Sequence, residues 1–142
     1  MANIIEVAKA AIVAYNDKDW DKAKELFAAE AAYDEKATHR RIEGISQIIN
    51  VWQSWASAIS DLKATIVREF AAIDGSVVMM EVVWKGVHTG PLQTSSSTIP
   101  ASNKPIEVPA CLVIEIASWK VKIFTHYFDM MTLLSQIGAA KG

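Results

Sequence analysis

The first part of the chain has apolar residues that recur every three or four positions, which is typical of helices that bury one face. Two such helices are expected near the start, opened by the capping residues Asn3 and Asp19. A third helix is expected after Gly44. Its apolar positions are Ile45, Ile48, Ile49, Trp52, Trp55, Ala56 and Ile59.

From Lys63 onward the pattern changes to the alternation of β-strands, with a hairpin turn expected at Asp74-Gly75. The four long strands are expected at Thr65–Ile73, Val77–Val87, Ile106–Ile116 and Val121–Tyr127. A shorter strand is expected earlier, at 31–35. The segment 89–104 is expected to be a loop or a loosely paired ribbon, and a short helix should end at Gly138.

This order of elements predicts an α+β fold in one domain, residues 1–142. The economical way to bury the pattern is a cone-shaped, strongly bent antiparallel sheet with the helices packed on its concave face. A cone of this length should leave an apolar cavity near its mouth, which is the usual place for a small-molecule site.

The composition excludes several classes of function. Fourteen basic and sixteen acidic residues give a net charge of −2, which makes no electrostatic case for nucleic acid or for an anionic membrane. No apolar run approaches the roughly 20 residues of a membrane span. One cysteine and three scattered histidines offer no metal-ligand spacing, so no metal is expected. A cytoplasmic location is the default expectation, since the first residues lack the pattern of a secretory signal.

The junction between the last strand and the last helix holds the first candidate, Asp129. If Lys120 and Lys122 face outward, then Tyr127 and Asp129 face the interior of the cone, whereas His126 lies on the outer face. Two interpretations stay open for Asp129. It is either an N-terminal helix cap or a general base whose pKa is raised by burial.

His88 shares the face of Trp84 on its strand, which points it inward near the mouth of the cone. It is either a core histidine or a pocket group that hydrogen-bonds a ligand carbonyl. Tyr33 and Glu35 share a face of the short strand, and Glu35 is either a second carboxylate of the cavity or a solvated acid.

The indole side chains Trp52, Trp55 and Trp84 are expected to be buried inside the cone. They form either core wall or a stacking surface for a flat ligand.

Three segments carry a family resemblance. They are Tyr15-Asn16-Asp17-Lys18-Asp19-Trp20, Gly86-Val87-His88-Thr89-Gly90-Pro91-Leu92, and the ending from His126 to Gly138. In this order they resemble the SnoaL-like polyketide cyclases of the nuclear transport factor 2-like superfamily. The resemblance implies a cone-shaped fold, a homodimer through the outer sheet face and no cofactor. It also implies that Asp129 is the acid/base of an intramolecular aldol closure.

Other members of that superfamily fit less well. Ketosteroid isomerase-like enzymes carry an oxyanion-donating tyrosine where this chain has Ala11, although their catalytic carboxylate falls on Glu35. Limonene epoxide hydrolase-like enzymes need an Arg-x-Asp pair, whereas the corresponding strand has only Glu81 and Lys85. Both of these activities are therefore disfavoured.

Two functional hypotheses follow. The first is a cofactor-free cyclase- or isomerase-type enzyme that binds a small hydrophobic, carbonyl-bearing molecule. Asp129 would move a proton next to the carbonyl, and His88 or Tyr33 would stabilise the enolate. The second is a non-catalytic ligand-binding or dimerisation module, or a dimer whose cavity is filled by its own side chains. Outward-facing Phe124 and Phe128 would supply apolar area for a partner.

Overall fold

The computed structural model describes residues 3–94 and 96–139; Ser95 of the expected loop and both ends of the predicted 1–142 domain lie outside this part. Four α-helices are present within it: α1 Ile4–Asn16, α2 Trp20–Leu26, α3 Ile45–Ala58 and α4 Met130–Gln136. A 3-10 turn covers Lys36–Thr38. The eight strands found there are β1 Phe27–Glu35, β2 Arg40–Glu43, β3 Ile59–Ala71, β4 Val77–His88, β5 Leu92–Gln93, β6 Thr98–Ile99, β7 Pro105–Ala117 and β8 Lys120–Phe128.

The main sheet is strongly curved and has the strand order β2-β1-β8-β7-β4-β3. The α+β fold class is confirmed, but the sheet is mixed rather than wholly antiparallel, because β1 and β8 run parallel. The long excursion through α3 and the β3–β7 strands between them allows a parallel neighbour. The expected loop at 89–104 contains the two-stranded β5–β6 ribbon.

The predicted helix starts are confirmed. The Asn3 side chain accepts a hydrogen bond from the Glu6 amide at 3.0 Å. Asp19 likewise accepts from the Lys22 amide at 3.1 Å. Gly44 precedes α3 with φ +90°, a backbone conformation that glycine adopts at little cost.

The core lies between the concave face of the sheet and the helices α1 and α3. Trp52 of α3 is at its centre and is only 5% exposed. Its indole packs edge-on against Tyr15 of α1, Phe27 of β1 and Phe124 of β8, with ring centroids 5.7, 5.3 and 5.6 Å away. Such edge-to-face contacts bring three layers of the molecule together around one ring.

Strand β8 carries one extra residue relative to its neighbour β7. Glu115 pairs with Ile123, but the next residue of β7, Ile116, pairs with Val121. Lys122 is therefore a β-bulge. Because side chains alternate between the faces of a strand, one extra residue turns every following side chain over.

The bulge overturns the predicted parity of the last strand. Phe124 and His126 are buried inside the cone, and Phe128 also faces the cavity. Tyr127, expected inside, is 47% exposed, and Asp129 is also exposed. The expectation that Phe124 and Phe128 provide an outer apolar surface is therefore wrong.

The free edge of β3 is covered by side chains from the end of α1. The Asn16 amide accepts from the Ala64 N–H at 2.8 Å and donates to the Ala64 carbonyl at 2.9 Å. The Lys18 ammonium donates to the Leu62 carbonyl next to it. Both residues belong to one of the segments that carried the resemblance, and here they satisfy strand backbone.

Candidate functional site

A small cavity of about 50 Å³ lies inside the cone, between α1, α3 and the sheet. Aromatic rings make up much of its wall. The lining residues are Ala11, Ile12, Tyr15, Tyr33, Trp52, Trp55, Ile59, Leu62, Trp84, Ile106, Val108, Phe124, His126, Phe128 and Leu133. The structure thus brings Tyr33 and the three predicted tryptophans to one site, and adds His126 to them.

Glu35 lies directly behind this wall and is fully buried. Its Oε2 atom accepts from the Tyr33 hydroxyl at 2.6 Å and from the Trp55 indole N–H at 2.9 Å. Its Oε1 atom accepts from the Thr38 hydroxyl and from the Arg40 guanidinium at 2.8 Å. Both oxygens of the carboxylate are therefore occupied by donors, and a cation balances its charge.

These contacts decide the protonation of Glu35. Burial raises the pKa of its carboxyl, but the hydrogen bonds from Thr38 and Tyr33 and the charge of Arg40 outweigh burial. The pKa therefore lies below its ordinary value. The interpretation of Glu35 as a solvated acid is wrong, because its donors come from the distant Trp55 and from the turn that follows the strand.

A chain of hydrogen bonds runs from Glu35 to the cavity. The Tyr33 oxygen is 2.8 Å from Nδ1 of His126, and the Trp84 indole N–H donates to Nε2 of the same ring at 3.1 Å. Indole has only a donor, so Nε2 must be unprotonated and the proton of the neutral ring lies on Nδ1. Nδ1–H then donates to Tyr33, whose own proton goes to Glu35.

The pKa values of both middle groups agree with this arrangement. Burial lowers the pKa of His126 to about 4, with the Glu35 charge acting in the opposite direction. Burial, together with the charge and hydrogen bond of Glu35, raises the pKa of Tyr33 well above its ordinary value. At neutral pH the hydrogen-bond chain therefore consists of a neutral imidazole (His126), an un-ionised phenol (Tyr33) and a carboxylate (Glu35).

Asp129 lies on the other face of the sheet from the cavity. Its Oδ1 accepts from the Met131 amide at 3.0 Å and its Oδ2 from the Thr132 hydroxyl at 2.9 Å. With Tyr127 and Cys111 it borders an open outer groove of about 640 Å³. The geometry is that of a helix cap, and the predicted inward placement of Asp129 and Tyr127 is wrong because of the bulge in β8.

His88 is buried, as its strand parity predicted, but it does not line the cavity. Its Nδ1 lies 2.9 Å from the Ser102 hydroxyl and accepts from the Ser102 amide at 3.2 Å. Burial lowers the pKa of the ring. These contacts tie the segment before β7 to the end of β4, so His88 holds a loop and does not face the ligand space.

Residues 3–94 and 96–139 contain neither a candidate metal site nor a helix suited to a membrane. No group of three or more His, Cys, Asp or Glu side chains is arranged to hold a metal ion there. Within the same residues, no helix has the length and apolarity needed to cross a membrane.

Sequence reasoning missed the roles of His126, Arg40 and Thr38. His126 was placed outside because the bulge has no local sequence signal. One signal could have found the network: Glu35 shares the strand face of Tyr33, and an acid on an apolar face needs partners. Thr38 and Arg40, two of these partners, follow it within five residues.

Comparisons with known proteins agree on one fold. A proposed SnoaL-like polyketide cyclase from Jannaschia sp. CCS1 has a TM-score of 0.85 and 17% identity, covering 97% of this chain and 93% of that one. IdmH, a proposed polyketide cyclase from Streptomyces antibioticus, has a TM-score of 0.81 and 19% identity, covering 96% and 99%. At these identities the likeness concerns the fold alone.

A protein from Catenulispora acidiphila DSM 44928 has a ketosteroid isomerase-like fold and was crystallised with trimethylamine. It has a TM-score of 0.78 and 21% identity, covering 95% of this chain and 94% of that one. No curated protein sequence matches this chain. The sequence model of the SnoaL-like polyketide cyclases matches residues 5–137. Since that match spans nearly the whole chain, the protein belongs to the SnoaL-like polyketide cyclase family.

Proposed function

We propose that this protein is a cofactor-free enzyme of the cyclase or isomerase type, in which His126 moves a proton next to the carbonyl of a hydrophobic ligand. One observation carries the proposal: the neutral His126 ring lines the cavity, and its Nε2 accepts a hydrogen bond there from the Trp84 N–H. A base and a hydrogen-bond donor are thus neighbours in an apolar site. Asp129 and His88 lie outside it.

The proposed chemistry exchanges the hydrogen bond between Trp84 and His126 for one between Trp84 and the ligand. The ligand carbonyl oxygen takes the Trp84 N–H, which frees Nε2 of His126 to accept the proton from the adjacent carbon. The C–H electron pair forms the enolate double bond, and the negative charge collects on the oxygen beside the indole. In an isomerase His126 returns the proton to another carbon. In a cyclase the enolate carbon attacks a second carbonyl, and His126 protonates the resulting alkoxide.

The lining residues also favour a neutral substrate. Among the described residues that line the cavity, none is a lysine or arginine, so a carboxylate or phosphate would enter without a counterion. Flat apolar ligands can stack on the indoles of Trp55 and Trp84, whereas Trp52 is enclosed by other rings. A neutral polycyclic or aromatic ketone meets both conditions, and family membership supports the same class of chemistry.

The test measures exchange of the α-hydrogens of 2-tetralone, a neutral bicyclic ketone, for deuterium in D₂O. Wild-type protein should accelerate the exchange above the buffer rate. His126→Gln should lose at least ~100-fold of that acceleration, a size ordinary for general base catalysis. Asp129→Asn is the matched control and should retain it. The proposal fails if His126→Gln exchanges like the wild type, or if Asp129→Asn alone abolishes exchange.

A second candidate is a binding module that performs no chemistry. The position of Asp129 supports it, because the carboxylate that the resemblance implies as acid/base caps α4 outside the cavity. The same 2-tetralone titration separates the two candidates when tryptophan fluorescence is recorded. Quenching without exchange identifies a binder, whereas an enzyme shows both.

We also propose that the protein is a homodimer through the outer face of the sheet. Phe70 and Met79 are paired across β3 and β4 there, and they are 49% and 44% exposed. Tyr127 lies on the same face, beside the outer groove. Met79→Lys should convert the dimer into a monomer in analytical ultracentrifugation, whereas Lys85→Ala on the same strand should not.

A further inference from the structure

We propose that Glu35 is a positioning residue that acts through Tyr33 to hold the His126 ring at the cavity wall with its Nε2 unprotonated. This inference rests on the proposed function of His126 but concerns a group that never touches the ligand. Glu35 occupies the position where the isomerase resemblance would place a catalytic base. Its geometry assigns it a different task.

Glu35 itself is unsuited to take a proton from a ligand. It is fully buried behind Tyr33 and Trp55, and both of its oxygens already accept hydrogen bonds. Thr38 and Arg40 occupy the second oxygen. A carboxylate with this many donors keeps its charge and has no free lone pair aimed at the cavity.

The direction of each hydrogen bond in the chain is fixed by the two groups at its ends. The Trp84 indole can only donate, and the ionised Glu35 carboxylate can only accept. Between them, His126 must therefore accept at Nε2 and donate from Nδ1, and Tyr33 must accept from His126 and donate to Glu35. Removing the Glu35 charge removes one of the two groups that impose this order.

Glu35 also stabilises the charged state of His126. When Nε2 takes a proton, the imidazolium keeps its Nδ1–H bond to a Tyr33 oxygen that is polarised by the carboxylate behind it. No proton passes along the chain, since Tyr33 holds its proton tightly. The positive charge on the ring and the negative charge on Glu35 are then separated by one hydroxyl group.

The first experiment needs no substrate. ¹⁵N NMR of the imidazole nitrogens reads the tautomer of His126 in the full-length protein at pH 7. Wild-type protein should hold the Nδ1–H form, and Glu35→Gln should convert a measurable fraction to Nε2–H because Tyr33 is free to turn its proton around. Asp34→Asn, which removes the neighbouring carboxylate on β1, is the control and should leave the tautomer unchanged. An unchanged tautomer in Glu35→Gln overturns the inference.

The second experiment tests whether Glu35 acts through Tyr33. The rate constant for 2-tetralone exchange should fall about 10- to 100-fold in Glu35→Gln and in Tyr33→Phe, as for carboxylates that orient metal-bound histidines. The double variant should fall no further, because the two residues form one chain. KM should stay within about twofold in Glu35→Gln, because Glu35 does not line the cavity. Multiplicative losses, or a loss confined to KM, would contradict the inference.

The two failures are distinguishable. If wild-type protein exchanges no deuterium, the proposed function is wrong, but the tautomer of His126 still decides the role of Glu35. If Glu35→Gln does not fold, Tyr33→Phe replaces it in the NMR experiment, because it breaks the same link between Glu35 and His126. A tautomer in that variant that is unchanged from the wild type, or an Nε2–H tautomer in the wild type, would overturn the inference.

Discussion

Two carboxylates at the same end of the sheet have opposite fates. Glu35 closes β1 and Asp129 follows β8, and these strands are parallel neighbours in which Glu35 pairs with His126. Glu35 is fully buried and is bound by side chains from three other segments as well as its own strand. Asp129 is exposed and is bound by its own helix. Local sequence is enough to make a cap, whereas a buried carboxylate needs partners from across the fold.

The bulge at Lys122 separates the two environments. Without it, the alternation of β8 would direct Asp129 inward and His126 outward, as the sequence pattern suggested. The side chains of β8 that reach the cavity are therefore set by Lys122, a residue that does not line the cavity itself.

Deleting Lys122 should have the largest effect. The deletion removes the bulge. Either the side chains of Phe124 and His126 then point to solvent, or they stay inside the cone and the backbone of the β7–β8 hairpin is distorted. We expect loss of the cooperative unfolding transition and of the near-ultraviolet circular dichroism. Lys122→Ala keeps the bulge and loses only an exposed pair with Glu30, which should cost less than about 1 kcal/mol. A deletion variant as stable as Lys122→Ala would show that the bulge does not set the faces.

Replacing Glu35 by alanine should lower the free energy of unfolding by about 3–5 kcal/mol, because Arg40 and three neutral donors lose their buried acceptor. Urea unfolding measures the change. Asp34→Ala is the matched control on the same strand; it loses partly exposed ion pairs with Lys36 and Arg41 and should cost less than about 1 kcal/mol. Equal losses of unfolding free energy in the two variants would show that the buried hydrogen bonds of Glu35 do not stabilise the fold more than a surface ion pair does.

Lowering the pH should destabilise the cavity side of the sheet first. The pKa of His126 is about 4 in the folded protein, against 6.5 for an ordinary histidine such as that of the unfolded chain. Between pH 4 and pH 6.5 the unfolded chain therefore binds the proton more readily than the folded protein does. The contribution of neutral His126 to the free energy of unfolding is therefore fully present above about pH 6.5. It falls by about 3 kcal/mol as the pH drops toward 4. Buried His88, whose pKa is also lowered, adds to the same trend.

Urea unfolding at a series of pH values checks this. His126→Gln should flatten much of the slope between pH 6.5 and 4, and His88→Gln should remove a separate part of it. A wild-type stability that stays constant across this window would mean that His126 is not held neutral by burial.

Asp129→Ala should have the smallest effect on stability, about 1 kcal/mol, the usual loss for a helix cap. Asp129→Ser, which retains a capping oxygen, should recover most of it. Thermal unfolding of the three proteins provides the comparison. A loss above about 3 kcal/mol, or one that serine does not recover, would show that Asp129 does more than cap α4.

Much of the fold follows from the sequence because its signals are local. Asn3 and Asp19 open their helices as predicted, and the alternation in β4 correctly places Trp84 and His88 inside. The candidate site is less predictable. The bulge depends on the pairing of β8 with β7, and the burial of Glu35 depends on Trp55, twenty residues away. Neither feature can be predicted from a short stretch of neighbouring residues.

The Asn16 side chain has a consequence for the solution behaviour of the protein. Its amide group forms hydrogen bonds with both the N–H and the carbonyl of Ala64, as a neighbouring strand would. At this position β3 therefore has no free backbone group to which the edge strand of another molecule could bind. Fibril growth or strand exchange starting at this point would first have to displace the Asn16 side chain. Asn16, which the sequence pattern assigns to a polar turn, thus protects the edge strand β3 against edge-to-edge aggregation from the end of α1.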